Sequence, residues 1–362
     1  MSKFKITLTP VDKFFFGGDM TFQVSNDKVF NEQFSSYIIQ SMLFPQQTSL
    51  LGMLRFLILR NVGEQVFKNN KIVNQTKASE LIGDKGFCVK AGHKVNSFGK
   101  IIRISRVRVE RDGVELDFAP LFGKIGFDGA VAGSLNEHSI KVPNLSKVQY
   151  DAKEGLDAVL TDGTNNYKLL KKGEKDDNAV FVEDRRIGIS RSISTGKTDD
   201  GELFKQISYR FNNEKAKHCF VFYAEVDDVD ITLYDGQMIT VGGDNSQFVI
   251  GIKSDDFPSD SASGNLSVTL LSPTFLARQD VSENIGFAIT KLMPFRFLTD
   301  NDKCNADASY HILNSKLKRS ERYELYSPGS VFYFDNETQK KAFEEKINNK
   351  NEFKQIGYNE YK

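Results

Sequence analysis

The sequence predicts an α+β protein of two domains, and three observations carry that reading. Short runs with a period of two recur along the chain and mark half-buried strands. Only a few stretches, chiefly near residues 48–60 and 337–349, show the wider apolar spacing of a helix. The aromatic content is lopsided, with Phe 30, Tyr 12 and Trp 0, and phenylalanine favours sheets. A length of 362 residues suits two or three domains, at roughly 100–200 residues each.

Charge and cysteine usage narrow the class. Lys+Arg and Asp+Glu are both 48, so the formal net charge is zero. That balance excludes a simple polycationic coat for nucleic acid but leaves room for local basic patches. Cys88, Cys219 and Cys304 lie far apart with no CxxC pair, as expected of reduced cytosolic thiols. The first residues run into an alternating strand rather than an apolar signal core. The longest apolar stretch, near Leu50–Leu59, is broken by Arg55 and is too short to span a bilayer. A cytoplasmic protein with no membrane contact is expected.

The elements follow in order. Phe4, Ile6 and Leu8 alternate with Lys5, Thr7 and Thr9 in a half-buried strand over 3–9, ended by Pro10. Phe14-Phe15-Phe16 leads into a turn at Gly17-Gly18. After Pro45, Thr48 or Ser49 can cap a helix whose Leu50, Leu51, Leu54, Leu57 and Ile58 recur at helical spacing. Arg55 and Arg60 lie off that stripe. Residues 101–109 read as one strand, with a hairpin turn at Asp112-Gly113 and a return over 114–118. The polar stretch 130–180 reads as an insertion or long loop. Residues 185–211 form a second hairpin with its tip at 194–197. Strands at 219–226, 238–241 and 247–252 follow, the last two joined by Gly242-Gly243.

Residues 255–264 are small, polar and contain Pro and Gly, so they read as a linker. Beyond it the expected order is a strand at 266–271, a short helix at 285–292, strands at 295–298, 322–326 and 330–334, a helix at 337–349 and a closing strand at 352–361. Strand, helix, two strands, helix, strand is the ferredoxin-like (RRM-like) βαββαβ order. The first part reads as a second copy of it with large insertions. The expected domains are therefore 1–254, carrying the insertions and the basic hairpin, and 265–362.

No phosphate-binding P-loop, no GxGxxG after a strand, no HExxH and no GxSxG is present. His93, His138, His218 and His311 do not pair at metal-ligand spacing. Asp227, Asp228 and Asp230 lack the glycine and distal glutamate of a calcium loop and read as a solvated turn. No cofactor is expected. What remains is a set of basic and glycine-containing segments. Thr48-Ser49 with Gly52 and Arg55 opens a helix, whose N-terminal amides and dipole suit a phosphate. Arg185 and Arg191 share a strand face, with Arg186 beside them, Lys197 at the tip and Lys205 on the return; such a hairpin can lie along a nucleic-acid backbone. Gly242 and Gly243 either admit a ligand backbone or make a turn. Gly357 and Tyr358 either hold and stack a nucleotide or end a strand. Arg103, Arg106, Arg108 and Arg111 are split across two faces of their strand and do not make one contact surface.

Taken in order, several segments resemble one family. They are Leu8-Thr9-Pro10 with Phe14–Asp19, Phe44–Arg55, Phe118–Leu121, Arg186–Ile189 through Thr195-Gly196 to Gly201–Phe204, Thr269–Thr274, Ser327–Phe334 and a closing Gly357 loop. The chain resembles RAMP-superfamily subunits of CRISPR effectors. It is most similar to the third subunit of type III-B (Cmr) complexes. It departs from that pattern at Gly17-Gly18, at 107–110 and in having one glycine in the last loop. The resemblance implies a non-catalytic binder that caps the 5′ handle of the CRISPR RNA. It also implies packing against a large polymerase-like subunit and a backbone RAMP subunit. The 185–205 hairpin then becomes a thumb, and the start of the 48–60 helix and the glycine loops become phosphate cradles. The alternatives are an endoribonuclease that processes CRISPR RNA precursors, with His218 or His93 as general acid or base, and the equivalent subunit of a type III-A complex.

Overall fold

Ser2–Pro10, the first strand, lies inside a nine-stranded sheet and turns Phe4, Ile6 and Leu8 into the core. The computed structural model describes residues 1–18, 20–27, 32–84, 86–89, 95–121, 131–135, 138–142, 158–171, 178–189, 203–259, 266–282, 285–299, 318–349 and 351–362. Ser2–Pro10 pairs antiparallel with His218–Val226 on one side and Gln247–Ser254 on the other. The hairpin Arg108–Arg111/Val114–Phe118 continues the sheet beyond His218–Val226, and Met238–Thr240 closes the opposite edge. Asp112 and Gly113 make the expected turn with positive φ of 47° and 85°.

The stretch 101–109 is two strands rather than one. Ile101–Ile104 and Arg108–Arg111 both pair with His218–Val226, and between them the chain buries Arg106 to 1% exposure. Part of 130–180 is also sheet rather than loop. Val131–Leu135 pairs with His138–Val142, and Val159–Thr161 and Asn166–Lys168 extend the large sheet past Val114–Phe118. Strands at a sheet edge need little apolar sequence, since only one face and one side are covered.

A second sheet has the order Phe181–Ile189, Leu203–Phe211, Glu32–Gln40, Met20–Asp27. The expected basic hairpin is its first pair, in register from Phe181↔Phe211 to Ile189↔Leu203. Glu32–Gln40 joins it in parallel. Phenylalanines fill the space between the two sheets. Phe14 lies 5.3 Å from Phe220, Phe211 4.8 Å from Phe220, and Phe181 5.1 Å from Phe211. Full burial of each such ring contributes about 1.5–3 kcal/mol, which is where the Phe-rich composition is spent.

Helix α1 (Gln47–Asn61) packs Leu50, Leu51, Leu54, Leu57 and Ile58 into this same core. It starts two residues before the expected Ser49, and Gln46 at its N-cap supplies no side-chain bond. Helix α2 (Gln75–Ile82) is capped by Asn74, whose side chain accepts from the Lys77 amide.

The C-terminal part departs from expectation in two places. Residues 285–292, expected as a helix, and 295–298, expected as one strand, instead contribute the strands Phe287–Ile289, Leu292–Phe295 and Leu298–Thr299. A short apolar run does not distinguish helix from strand by periodicity alone. Residues 352–361, expected as a strand, begin with the short helix α5 (Asn351–Gln355), after α3 (Arg278–Ser282) and α4 (Glu337–Asn348). Phe353 and Ile356 are buried together from that turn, and only Tyr361 bridges a strand-like partner, Leu270. Ser267–Thr269, Val331–Tyr333 and Phe287–Ile289 form a three-stranded antiparallel sheet, covered by Phe343 and Ile347 of α4. The architecture is a mixed α+β fold of several largely antiparallel sheets and short helices.

Candidate functional site

A cleft of about 1380 Å³ opens over α1. One wall is Gly17-Gly18 and residues 40–46, another is 238–243, and a third is 291–298 with Arg319 and Ser327-Pro328. Its basic lining residues are Arg55, Arg60, Arg106, Lys291, Arg296 and Arg319; Arg106 is buried and already paired with Glu360 and Asp117, and no Asp or Glu occurs among the described lining residues. The start of α1 faces into it through Gln47, Thr48 and Ser49. No acidic residue stands in the first turn and no side chain caps it. The Ser49 and Leu50 amides fold back on the Gln46 carbonyl at 2.8 and 3.2 Å. A helix start without a cap, inside a cationic cleft, suits an anion.

The structure brings Ser49, Gly52, Arg55, Gly242, Gly243 and Tyr358 to this one cleft, but gives them different work. Ser49 and Gly52 lie on the open side of α1. Arg55 is buried, and it donates from Nε to the Ile82 carbonyl at 3.0 Å and from a terminal nitrogen to the Ser97 carbonyl at 3.2 Å. It ties α1 to the end of α2 rather than presenting charge to a ligand. Tyr358 is 1% exposed, so its ring is no stacking surface. Burial pushes its phenol well above the usual range, against the Thr48 and Gln47 groups it faces. Its hydroxyl and the Gln47 Oε1 have no partner at full hydrogen-bond geometry.

The glycine loops are set by packing. Gly242 has φ of +90°, and a Cβ there would stand 2.6 Å from the Phe15 carbonyl oxygen. The Gly243 amide donates to that oxygen at 2.8 Å. Gly357 has φ of +86°, and its Cβ would meet Gln47 Nε2 and the Ser105 carbonyl oxygen, each at 2.5 Å. These loops are close approaches of the chain to itself, the turn reading of the two open to them.

The basic hairpin stands beside the cleft. Gln206 donates to Asp244 at 3.0 Å, next to the Gly242-Gly243 loop, and Gln40, which lines the cleft, donates to the Tyr209 hydroxyl at 2.6 Å. Arg185 and Arg186 are exposed, and each has a carboxylate close by, Glu183 at 2.6 Å and Asp184 at 3.7 Å. Lys205 is half-buried opposite Ile187. Arg191 and Lys197 lie outside the described residues, as do 143–157 and the 260–264 end of the expected linker.

Sequence reasoning did not assign Phe56, Arg60, Lys291, Arg296 or Arg319 to a site. Phe56 and Arg60 follow Gly52 at intervals of four on α1, a spacing visible in the sequence. Lys291, Arg296 and Arg319 arrive from distant strands and leave no local signal.

Among the described residues no group of three His, Cys, Asp or Glu side chains could hold a metal. Asp227 pairs with Lys100 at 2.7 Å and Asp230 binds Thr232, so that cluster is a turn. His218 stacks on Phe211 at 5.6 Å, away from the cleft, and burial pushes its pKa down to about 4. His93 and His311 lie outside the described residues. Among the described residues no helix is long and apolar enough to cross a membrane.

Comparison with known proteins adds a family. The model of a family described as CRISPR-associated protein (Cas_Cmr3) matches residues 6–121 and 147–361. No curated protein matches the sequence. Among solved structures, a chain of a type III-B Cmr-beta bound to cognate target RNA is 16% identical with a TM-score of 0.51, over 99% of this chain and 96% of that one. A chain of the same kind of assembly, bound to cognate target RNA and AMPPnP, is 15% identical with a TM-score of 0.47, over 98% and 94%. The first of these likenesses is one of fold.

Proposed function

This chain belongs to the Cas_Cmr3 family of CRISPR-associated proteins, and on that premise we propose that it is a non-catalytic RNA-binding subunit of a type III-B (Cmr) effector complex. It caps and anchors the 5′ handle of the CRISPR RNA. The observation that carries this reading is the cleft over α1, lined by arginine and lysine with no described carboxylate and entered by an uncapped helix start. Phosphates of a single strand neutralise such a surface and release counterions as they do so. A chain of similar fold belongs to a type III-B Cmr-beta bound to cognate target RNA, which supports an RNA-binding assembly as the setting.

In this reading the positive end of the α1 dipole near Ser49 faces a phosphate, and Gly52 leaves the helix surface bare beside it. Arg185, Arg186, Arg191, Lys197 and Lys205 form a thumb that closes over the strand. Gly242, Gly243, Gly357, Arg55 and Tyr358 hold the walls in place. The other faces meet the large polymerase-like subunit and a backbone RAMP subunit. The reading of two ferredoxin-like units, 1–254 and 265–362, draws on α4 covering the three-stranded sheet, while the core around α1 runs on into Phe275, Phe295, Phe297, Leu325 and Phe353.

The test is purification of the assembled complex with its RNA. Small RNAs sharing one 5′ sequence should co-purify. An Arg185→Ala/Arg191→Ala variant should hold that handle more weakly, with the salt dependence of log affinity reduced by about one unit for each lost phosphate contact. Full handle affinity in the double variant at moderate salt would sink the thumb.

A further inference from the structure

We propose that the solvent-facing stripe of α1 is a base-stacking floor for single-stranded RNA, with Phe56 and the Arg60 guanidinium as its platform and Gly52 as the gap that admits the strand. The proposal rests on the RNA-binding reading of the cleft and adds the part that bases touch.

Thr48, Gly52, Phe56 and Arg60 recur at intervals of four, so they share one helix face, and all four line the cleft. At 1.5 Å per residue the stripe is about 18 Å long. Their neighbours Leu51, Met53, Leu57 and Leu59 are buried, so this stripe is the side of α1 the fold leaves open.

Gly52 is the first sign of an occupant. A glycine inside a helix weakens it relative to alanine. Gly242 and Gly357 are required by the chain's own backbone, whereas a Cβ on Gly52 would meet no atom within 4 Å. Packing does not call for this glycine. Clearance above the helix does, and that clearance opens into the cleft.

Phe56 is the second. Its ring is 37% exposed on the floor and is backed edge-on by Phe67 at 5.8 Å. The Arg60 guanidinium carbon lies 5.7 Å from the Phe56 ring and 5.6 Å from the Tyr234 ring. A guanidinium near two aromatic rings has part of its freedom removed before a ligand arrives, which lowers the cost of ordering on binding. Phenylalanine rings and guanidinium planes are the surfaces on which unstacked bases lie. The described lining has no carboxylate, so phosphates of the same strand are accommodated one helical turn or more away, towards Ser49.

The full-length chain is titrated with a short single-stranded RNA carrying a fluorescent base analogue, across a range of salt. Phe56→Ala should lower affinity about five- to a hundredfold, the effect of removing one base–aromatic stack. The salt slope should not change, and Phe56→Tyr should restore binding. An abasic strand of equal length should ignore Phe56→Ala. Gly52→Gln should weaken RNA binding while raising the thermal midpoint, which separates a lost gap from a damaged fold. Arg319→Ala tests the underlying reading, and should lower the salt slope by about one. If Phe56→Ala and Gly52→Gln bind RNA as the parent does while Arg319→Ala is weakened, the platform is wrong and the cleft reading stands. If Phe56→Ala weakens the abasic strand equally, or if Phe56 is needed for an acidic peptide and not for RNA, the platform is likewise overturned. If the parent chain and every variant fail to bind single-stranded RNA, the cleft reading falls, and the platform with it.

Discussion

The chain carries two basic surfaces that are built in opposite ways. In the ladder around Lys5, Arg106 and Arg108 on the large sheet, cations are met by carboxylates. Lys5 lies 2.8 Å from Glu110 and 2.9 Å from Glu115, Arg108 lies 3.1 Å from Asp117, and Arg106 lies 2.6 Å from Glu360 and 2.8 Å from Asp117. In the cleft over α1, Arg60, Arg296 and Arg319 share their walls with no described carboxylate. The difference shows how a chain with 48 basic and 48 acidic residues can still present a cationic groove. The ladder absorbs acids and bases alike to hold the sheet and the C-terminal tail together. The cleft keeps only one sign, and its positive field is available to a polyanion.

The largest effect that separates the two surfaces is on the ladder. Arg106→Ala leaves Glu360, itself buried, without its guanidinium partner, and Asp117 with Arg108 alone. Breaking such a buried pair from one side should cost about 3–5 kcal/mol, read as a fall in the urea midpoint. Arg319→Ala should leave that midpoint nearly unchanged. Asp117 supplies an acid limb to the same ladder. Desolvation opposes its charge, but Arg106 and Arg108 overcome it and hold the carboxyl below its ordinary range. That contribution is present above the ordinary aspartate pKa and is lost as pH falls through the lowered one.

The same contrast runs through the glycines, and here the next effect is smaller. Gly357→Ala forces a Cβ into the left-handed region and against the Ser105 carbonyl. It should destabilise by about 1–3 kcal/mol and loosen the contact between the tail and α1 that Gln47 makes to Ser105 and Gly357. A variant as stable as the parent in urea would mean that the tail does not pin α1.

Much of the fold was legible in the sequence, and the reasons for the exceptions are local against distant. The α1 and α4 helices, the turn at Asp112-Gly113 and the hairpin read over 185–211 all carry their own periodicity and punctuation. The parallel pairing of Glu32–Gln40 with Leu203–Phe211 joins segments far apart in sequence and has no local signature. The strands at 159–168 hide in a polar stretch because they sit at an edge. Residues 285–295 and 351–356 are short apolar runs whose form is decided by what they pack on. For the candidate site, the helical spacing that puts the start of α1 and Gly52 on the cleft was legible. Arg55 and Tyr358 were misjudged as accessible because burial cannot be read from residue type when a guanidinium can find backbone carbonyls and a phenol can back a helix start.

A third, milder test concerns pH and leaves both surfaces in place. His218 is buried against Phe211, and burial holds its pKa near 4, below the ordinary value of about 6.5. Between those values the unfolded chain takes up a proton that the folded chain refuses. Stability is therefore fully present above the ordinary value and declines as pH falls through the window. His218→Phe should flatten that decline between neutrality and about pH 4.5, followed by urea midpoints. An unchanged slope in the variant would assign the decline to other groups.

The smallest effect decides the comparison most cleanly. If Gly52 is there for clearance, Gly52→Ala should stabilise the chain, because alanine is the better helix residue and nothing stands within 4 Å of the new methyl. The expected gain is about 0.5–1 kcal/mol, seen as a modest rise in thermal midpoint. The sign is what matters. Gly357→Ala and Gly52→Ala add the same atom to the two ends of one packed unit, and should move stability in opposite directions. A loss at Gly52 would mean that the helix surface there is already occupied by the chain's own packing, and the open floor of the cleft would have to be redrawn.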